Sequence, residues 1–207
     1  MNTIKRVLAI GAHPDDIELG CGGTLAKLVS QGVEVMALVL TAGKRGADTE
    51  QFDRVTETTA ALKLLGVQNI VFGDFPDTYL YARFNDVVKC IEENVQFFKP
   101  DRVYTMFKDD RHQDHETTFK ASIIASRNVR QILSYETPSS WPNFIPSMFE
   151  EIEPEFMEKK VQALQVHESQ ANRNYTQAGH LTISSQFRGA QIGLGPSEGF
   201  IPYKYVF

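Results

Sequence analysis

The stretch Val7-Leu8-Ala9-Ile10-Gly11-Ala12-His13-Pro14-Asp15-Asp16, near the N-terminus, decides the fold class. Residues 7–11 form an unbroken apolar run, which is the pattern of a strand buried on both faces of a parallel sheet. The polar residues that follow stand where open parallel sheets bind their ligands, beyond the carboxyl end of a strand. The stretch therefore predicts a buried strand that carries functional side chains to one edge of a sheet.

Strand-like runs recur along the chain and alternate with helical patterns. The predicted strands are residues 7–11, 33–41, 69–72, 102–106 and 131–135. Helical spacing is clear over residues 84–98 and looser over residues 55–65, and Pro154 is expected to open a final helix. Residues 137–146 and the tail after Gln186 are expected to be irregular. The alternation predicts a single-domain α/β, Rossmann-like fold over residues 1–207, with helices flanking a mainly parallel sheet.

Composition excludes several classes of function. The chain has 207 residues with 21 Lys+Arg against 26 Asp+Glu, a net charge of −5, and no basic run longer than a pair. It has no electrostatic footprint for nucleic acid or an anionic membrane, and its apolar runs are too short for membrane insertion. A cytoplasmic protein with a small-molecule partner is expected. Only Cys21 and Cys90 are present, so no disulfide framework is possible, and Cys21 is a packing residue, a metal ligand or a nucleophile.

A second polar cluster, Asp110-Arg111-His112-Gln113-Asp114-His115, follows the predicted strand at residues 102–106. Together with His13-Pro14-Asp15-Asp16 it brings three of the five histidines and four carboxylates to one sheet edge. Zinc prefers imidazole and carboxylate ligands, and a catalytic zinc site keeps an open fourth position. We therefore expect His13, Asp16 and His115 to be the ligands of one metal ion.

The remaining residues of the two clusters are expected to do the proton chemistry. Asp15 is free to act as general base on the attacking water. His112 lies one helical turn before His115 and is suited to donate a proton to a leaving group. Asp114 would hold the His112 imidazole or raise its pKa, although an Asp at this position can also be a helix N-cap.

These residues resemble the PIG-L/LmbE family of zinc-dependent N-acetylglucosaminyl deacetylases. The resemblance is carried by residues 12–16 followed by Glu18-Leu19-Gly20-Cys21-Gly22-Gly23-Thr24-Leu25, by residues 112–115, and by His167-Glu168-Ser169-Gln170. It implies the same ligands, with Asp15 as the base, His112 as the acid or oxyanion partner and Asp114 as its orienting carboxylate. It also implies one Zn²⁺ or another divalent transition metal per chain. The implied reaction removes the acetyl group from an N-acetylated amino sugar and releases acetate.

Further positions acquire roles from the resemblance alone. Arg54 resembles the family's substrate-binding arginine, and Asp77 falls where the family has an aspartate after the third strand. The alternatives are a helix-face ion pair for Arg54 and a turn residue for Asp77. His167 and Gln170 are expected to have a structural or trimer-interface role. A homo-oligomer, trimer or hexamer, is implied by the family.

The chain departs from the family pattern at Gly43-Lys44-Arg45-Gly46, where many relatives have Gly-Glu-x-Gly. Lys44 and Arg45, with Arg54 on the following helix, predict an anion site for a phosphate or carboxylate attached to the sugar, as in a sugar nucleotide. The alternative is a solvated loop end. The change bears on the substrate and leaves the chemistry intact.

Two competing functions remain open at this point. Gly20, Gly22 and Gly23 could cradle a phosphate in a non-catalytic nucleotide- or sugar-binding domain. That pattern needs glycines before the helix and an acidic residue at the end of the second strand, where this chain has Thr41. A zinc amidohydrolase that acts on a non-sugar amide has the same residue requirements as the deacetylase.

Overall fold

The computed structural model describes residues 4–46 and 51–206, and seven strands of this part form one sheet. The strands are β1 (Arg6–Gly11), β2 (Glu34–Thr41), β3 (Asn69–Phe75), β4 (Arg102–Thr105), β5 (Gln131–Tyr135), β6 (Met148–Glu151) and β7 (Ser197–Tyr205). The helices are α1 (Asp16–Ser30), α2 (Arg54–Leu64), α3 (Phe84–Phe98), α4 (Gln113–Ala125), α5 (Pro154–Gln165) and α6 (Ala178–Ala190). Within the described ranges, no helix combines the length and the apolar character of a bilayer span.

The sheet order is β3-β2-β1-β4-β5-β7-β6, with β1 to β5 parallel and the last two strands antiparallel. Residues 7–10 of β1 are completely buried between two apolar layers, as the unbroken run predicts. The chain moves outward from β1 to β3 and then returns to β4 on the other side of β1. This reversal opens a crevice at the carboxyl ends of β1 and β4. The predicted α/β, Rossmann-like fold is confirmed.

The C-terminal third differs from the sequence prediction. The helix that begins at Pro154 is not the last, because α6 follows it, and the supposedly irregular tail contains β7. Helix α6 buries Leu181, Ser185 and Gly189, so its inward face is mostly small or polar and has no apolar period. Strand β7 contains Gly199 and Pro202, which both weaken a strand pattern. Strand β6 had no predicted counterpart.

Helix α1 is interrupted at Cys21, whose φ of −146° and ψ of 18° are not helical. The break exposes main-chain groups that two buried side chains satisfy. The Lys160 ammonium donates to the carbonyl of Leu19 (2.7 Å), and the Glu198 carboxylate accepts from the N–H groups of residues 23–24 (3.0 and 2.7 Å). Lys160 and Glu198 also form an ion pair with each other. The pair therefore caps both halves of α1 and joins them to α5 and β7.

Gly20 and Gly23 of α1 serve packing, which argues against their interpretation as a phosphate cradle. A Cβ atom at Gly20 would overlap the Tyr135 ring, and one at Gly23 would lie 2.9 Å from Ile152. Gly20 therefore allows α1 to approach the sheet. Cys21 is completely buried in the core, with its Sγ 3.4 Å from the carbonyl oxygen of Ile17. It is a packing residue.

Candidate metal centre

The crevice between β1 and β4 brings together the two polar clusters. Asp15 caps α1 with a φ of 90°, a left-handed conformation that is uncommon for a residue other than glycine. The main-chain N–H of His13 donates to Oδ2 of Asp16 (2.8 Å) and closes the turn after β1. His112 is the N-cap of α4, so the second cluster spans the loop after β4 and the first turn of that helix.

The imidazoles of His13 and His115 and the carboxylate of Asp16 lie against one another. Nδ1 of His13 lies 3.3 Å from Nε2 of His115. Oδ2 of Asp16 lies 3.5 Å from that His13 nitrogen, and Oδ1 of Asp16 lies 3.4 Å from that His115 nitrogen. All three side chains are buried, and the Asp16 carboxylate bridges the two imidazoles. His13 also belongs to two groups of side chains that could hold a metal ion, one with His112 and His115 and one with Asp77 and Asp114.

The second nitrogen of each of these two histidines contacts a carboxylate. Nε2 of His13 lies 3.1 Å from Asp77 and 3.2 Å from Asp114, and Nδ1 of His115 lies 3.1 Å from Asp110. Histidines that bind metals usually donate their other ring N–H to a carboxylate, which fixes the tautomer and the ring orientation. The side chains of His13 and His115 are therefore oriented with Nδ1 and Nε2, respectively, facing Asp16.

Charge–charge interactions set the protonation of this group in the metal-free protein. Burial alone would lower the pKa of His13, but Asp114, Asp16 and Asp77 outweigh it, and the pKa lies well above its ordinary value. Burial likewise opposes ionisation of Asp16, and the adjacent His115 and His13 lower its pKa overall. Burial also opposes ionisation of Asp110, but the contact with His115 outweighs it and lowers the pKa of Asp110 to about 2. A proton on the His13 imidazole therefore competes with a metal ion for this site.

The Asp15 carboxylate contacts Arg54. It lies 3.3 Å from Nη2 of Arg54, which also donates to the carbonyl of Pro14 (2.6 Å), and Nη1 of Arg54 donates to the carbonyl of Gly43 (3.1 Å). Burial raises the pKa of Asp15 to about 6, and the Arg54 guanidinium opposes that rise. Arg54 is buried. The sequence assigned it to substrate binding, whereas its hydrogen bonds hold the Asp15 loop and the loop after β2.

His112 packs against the other two histidines, with ring centroids 4.5 Å from His13 and 4.8 Å from His115. Its Nδ1 accepts from the main-chain N–H of Asp114 (3.2 Å). The Asp114 carboxylate itself contacts His13 and accepts from the N–H groups of Thr78 (2.7 Å) and Leu80 (3.1 Å). The expectation that this carboxylate holds the His112 ring is therefore wrong. The pKa of His112 is also lowered, because burial and the two histidines outweigh Asp114.

A cavity of about 250 Å³ opens over these residues. Its wall includes every predicted ligand and Asp15, His112, Arg54, Asp77 and Arg45. Lys44 is exposed and Asp114 is completely buried, and neither residue is among those that line the cavity. Asp77 touches His13 and accepts from the main-chain N–H of Arg45 (2.8 Å), so protein groups already occupy its carboxylate. Of the two cations predicted to bind an anion after β2, Arg45 therefore lines the cavity and Lys44 does not.

Several residues of the site were not predicted. Asp110 lies within the second cluster that the sequence analysis quoted, where its position before His112 was the available signal. Gln170 belongs to the quoted motif near the end of α5 and lines the cavity. Arg173 and Tyr175 also line it, from a segment of short 3-10 turns after that motif. Their sequence carries no pattern that distinguishes them from ordinary surface residues.

His167 has the structural position expected of it. Its side chain is fully buried, and Nε2 lies 3.1 Å from Oε1 of Glu18 on α1. Burial opposes the charged form, yet the contact with Glu18 raises the pKa of His167 above its ordinary value. Two residues later, the main-chain N–H and hydroxyl of Ser169 donate to Glu57 on α2 (2.9 and 2.6 Å). This motif joins the first two helices beside the cavity.

The chain is similar to deacetylases over most of its length. Residues 8–126 match the sequence model of the PIG-L family, described as GlcNAc-PI de-N-acetylase. The uncharacterized deacetylase YaiS of Escherichia coli K12 is 44% identical over 81% of this chain and 93% of its own. The diacetylchitobiose deacetylase of Thermococcus kodakarensis is 31% identical over 82% and 71%. A crystal structure of the N,N'-diacetylchitobiose deacetylase of Pyrococcus horikoshii superposes with a TM-score of 0.79, at 27% identity, over 96% of this chain and 84% of that one.

Proposed function

Since the chain belongs to the PIG-L family of de-N-acetylases, we propose that it is a zinc-dependent hydrolase that removes the acetyl group from an N-acetylated amino sugar. The products are the free amine and acetate. The observation that carries the proposal is the paired environment of His13 and His115, each with one nitrogen toward Asp16 and the other on a carboxylate. An orienting carboxylate behind each imidazole is the arrangement of a metal site.

The ligand types of His13, Asp16 and His115 favour zinc. Two imidazoles and one carboxylate form a ligand set typical of catalytic zinc, with a fourth position for water or substrate. Nδ1 of His13 and Nε2 of His115 lie 3.3 Å apart, and each lies within 3.5 Å of an Asp16 oxygen, so one ion can contact all three side chains. A zinc ion held there supplies Lewis-acid chemistry: it lowers the pKa of water and polarises a carbonyl oxygen.

Asp15 is the general base of the proposed reaction. It lies next to the ligand Asp16 in sequence and faces the cavity, and its pKa of about 6 keeps most of it ionised at neutral pH. It accepts a proton from the water that attacks the acetamide carbon. Arg54 holds the loop of Asp15 and favours the ionised carboxylate. A proton taken up by Asp15 is then available for the departing amine.

His112 is the hydrogen-bond donor to the oxygen of the tetrahedral intermediate. Because Nδ1 of His112 accepts from the main-chain N–H of Asp114, a neutral imidazole carries its proton on Nε2. The lowered pKa keeps this ring neutral at pH 7. A neutral donor aimed at developing negative charge stabilises the transition state, and protonation of the amine falls to Asp15. Of the two roles that the family resemblance implies for His112, acid or oxyanion partner, this assignment is the second.

The relatives support an amino-sugar substrate. Two of those compared are named for diacetylchitobiose, which carries an acetamide on each sugar ring. Other relatives are named for an acetamido-deoxyglucopyranoside of inositol. We extend this substrate class, an N-acetylglucosamine unit within a larger conjugate, to the present chain.

Metal analysis and acetate release test the proposal together. The zinc-loaded protein is incubated with N-acetylated sugars and glycosides and with a simple non-sugar acetamide, and acetate is measured. We expect one metal ion per chain and turnover of the sugar conjugates only. His13→Ala and His115→Ala are expected to lose both metal and activity, whereas His180→Ala, a matched change at an exposed histidine outside this cavity, retains both.

Asp15→Asn separates the chemistry from metal binding. It is expected to keep the metal and the fold but to lose activity by about 10²-fold or more, the contribution of a positioned general base. Full metal content in the His13→Ala and His115→Ala proteins would contradict the ligand assignment. Acetate release from the simple acetamide at the same rate would favour the amidohydrolase alternative.

A further inference from the structure

We propose that the substrate carries a phosphate or carboxylate group and that Arg45 and Arg173 bind this group together at the mouth of the cavity. The inference rests on the proposed function and adds a charge requirement to it. In this anion site Arg173 replaces Lys44, which the sequence had paired with Arg45. Both arginines line the cavity above the metal-ligand residues, and both are exposed to solvent.

Arg45 is held in position while its charged end remains available. Its main-chain N–H donates to Oδ2 of Asp77 (2.8 Å), which fixes the backbone next to the cavity. Its guanidinium lies over the ring of Tyr79, 4.8 Å from the ring centroid. Stacking uses the face of the guanidinium and leaves its N–H edge free to bind the two oxygens of an anionic group.

Arg173 reaches the same cavity from a different part of the chain. Its main-chain N–H donates to the carbonyl of Gln170 (2.9 Å), and its carbonyl accepts from the hydroxyl of Thr176 (2.8 Å). These bonds fix the backbone of a tight turn. The turn carries the Arg173 side chain into the cavity wall beside Tyr175.

A hydrogen bond connects the two loops that carry these arginines. Nε2 of Gln170, three residues before Arg173, donates to the carbonyl of Gly46, the residue after Arg45 (3.2 Å). The bond crosses from the loop after β2 to the turn after α5. Arg45 and Arg173 are therefore carried by adjoining segments and line the same cavity.

Arg45 and Arg173 differ in their charge environment from four other arginines of the chain. Arg54, Arg83, Arg127 and Arg188 each form an ion pair with a carboxylate. Neither Arg45 nor Arg173 forms one with residues 4–46 or 51–206. Two like charges at one rim disfavour each other in water, and an anion bound between them removes that repulsion and makes charge-assisted hydrogen bonds.

Matched neutral and anionic substrates test the inference. The methyl glycoside of N-acetylglucosamine is the neutral reference, N-acetylglucosamine 1-phosphate supplies the phosphate, and N-acetylmuramic acid supplies a carboxylate. We expect kcat/KM to be about tenfold or more higher for at least one anionic substrate, and the preferred substrate identifies the anion. The preference is expected to shrink as ionic strength rises, because both arginines are exposed.

Substitutions assign the preference to the two arginines. Arg45→Ala and Arg173→Ala are each expected to lower kcat/KM for the anionic substrate by about tenfold, with little change for the neutral glycoside. Arg173→Lys retains the charge without the guanidinium fork and is expected to recover part of the loss. Lys44→Ala is the matched control, because Lys44 is a neighbouring exposed cation outside the described cavity lining. It is expected to leave the preference unchanged.

Binding measurements test the inference independently of the proposed reaction. The affinity of the Asp15→Asn protein for the neutral and anionic sugars is measured by calorimetry, which needs no turnover. If the anionic sugar binds more tightly than the neutral sugar, and Arg173→Ala abolishes this difference in affinity, the inference is supported even if no acetate is released. Equal affinity and equal turnover for neutral and anionic sugars would overturn it and leave the deacetylase proposal standing. The inference is also overturned if Lys44→Ala lowers the preference for the anionic substrate as much as Arg173→Ala does.

Discussion

The Arg54 guanidinium lies 3.3 Å from the Asp15 carboxylate and donates hydrogen bonds to the carbonyls of Pro14, in the loop after β1, and Gly43, in the loop after β2. Asp15 has a left-handed backbone conformation that costs free energy unless its surroundings hold it. A single buried side chain thus positions the proposed base and connects its loop to the loop after β2.

Arg54→Ala is therefore expected to reduce kcat by about 10–100-fold on the neutral glycoside, with little change in KM. Arg54→Lys keeps a charge near Asp15 but cannot make all three contacts, so an intermediate kcat is expected. Steady-state kinetics at equal metal content measure both values. A higher KM with an unchanged kcat would instead indicate direct binding of the substrate, the role that the sequence gave to Arg54.

Asp110→Asn is expected to weaken zinc binding by about 10–100-fold while leaving the fold intact. Asp110 contacts Nδ1 of His115 (3.1 Å) and accepts from the hydroxyl of Thr137 (3.0 Å), so the amide removes the charge that orients the ligand. Competition with a chromophoric chelator measures the affinity. Asp109→Asn, a change at the adjacent and more exposed carboxylate, is the control, and equal weakening in both proteins would exclude a specific role for Asp110.

Lys160→Met is expected to lower the free energy of unfolding by about 3–5 kcal/mol, because it leaves the Glu198 carboxylate buried without its ion-pair partner. The double variant Lys160→Met/Glu198→Gln removes the uncompensated charge and is expected to recover part of that loss. Urea denaturation of the wild type, both single variants and the double variant measures the coupling. Strictly additive effects would show that the two side chains act independently at the break in α1.

The pair of His167 and Glu18 predicts a pH-dependent stability. The folded protein holds the pKa of His167 above its ordinary value, so protonation favours the folded state. The contribution is fully present below the unfolded pKa of about 6.5 and is lost as pH rises through the raised folded value. The difference in melting temperature between wild type and His167→Gln is therefore expected to decline from pH 5.5 to pH 9. A constant difference would mean that His167 contributes packing alone.

Local sequence patterns were sufficient for the five parallel strands and for most polar residues of the site. Mostly unbroken apolar runs identified these strands, because a strand buried on both faces favours apolar residues at successive positions. The positions of His13 and His115 after two of these strands then placed them at one edge. The pattern failed for α6 and β7, where the buried face is built from Ser185, Gly189 and other small or polar residues.

The sequence by itself determined which residue types meet at one sheet edge, because His13, Asp16 and His115 follow two predicted parallel strands whose carboxyl ends lie at the same edge. Only the tertiary structure decided what each polar group contacts. The Asp114 carboxylate contacts His13, Arg54 holds Asp15, and Gln170 joins the loops of two arginines. These contacts connect residues far apart in the chain, and their geometry depends on packing between elements. Periodicity records only which face of an element is buried, so it carries no information about these partners.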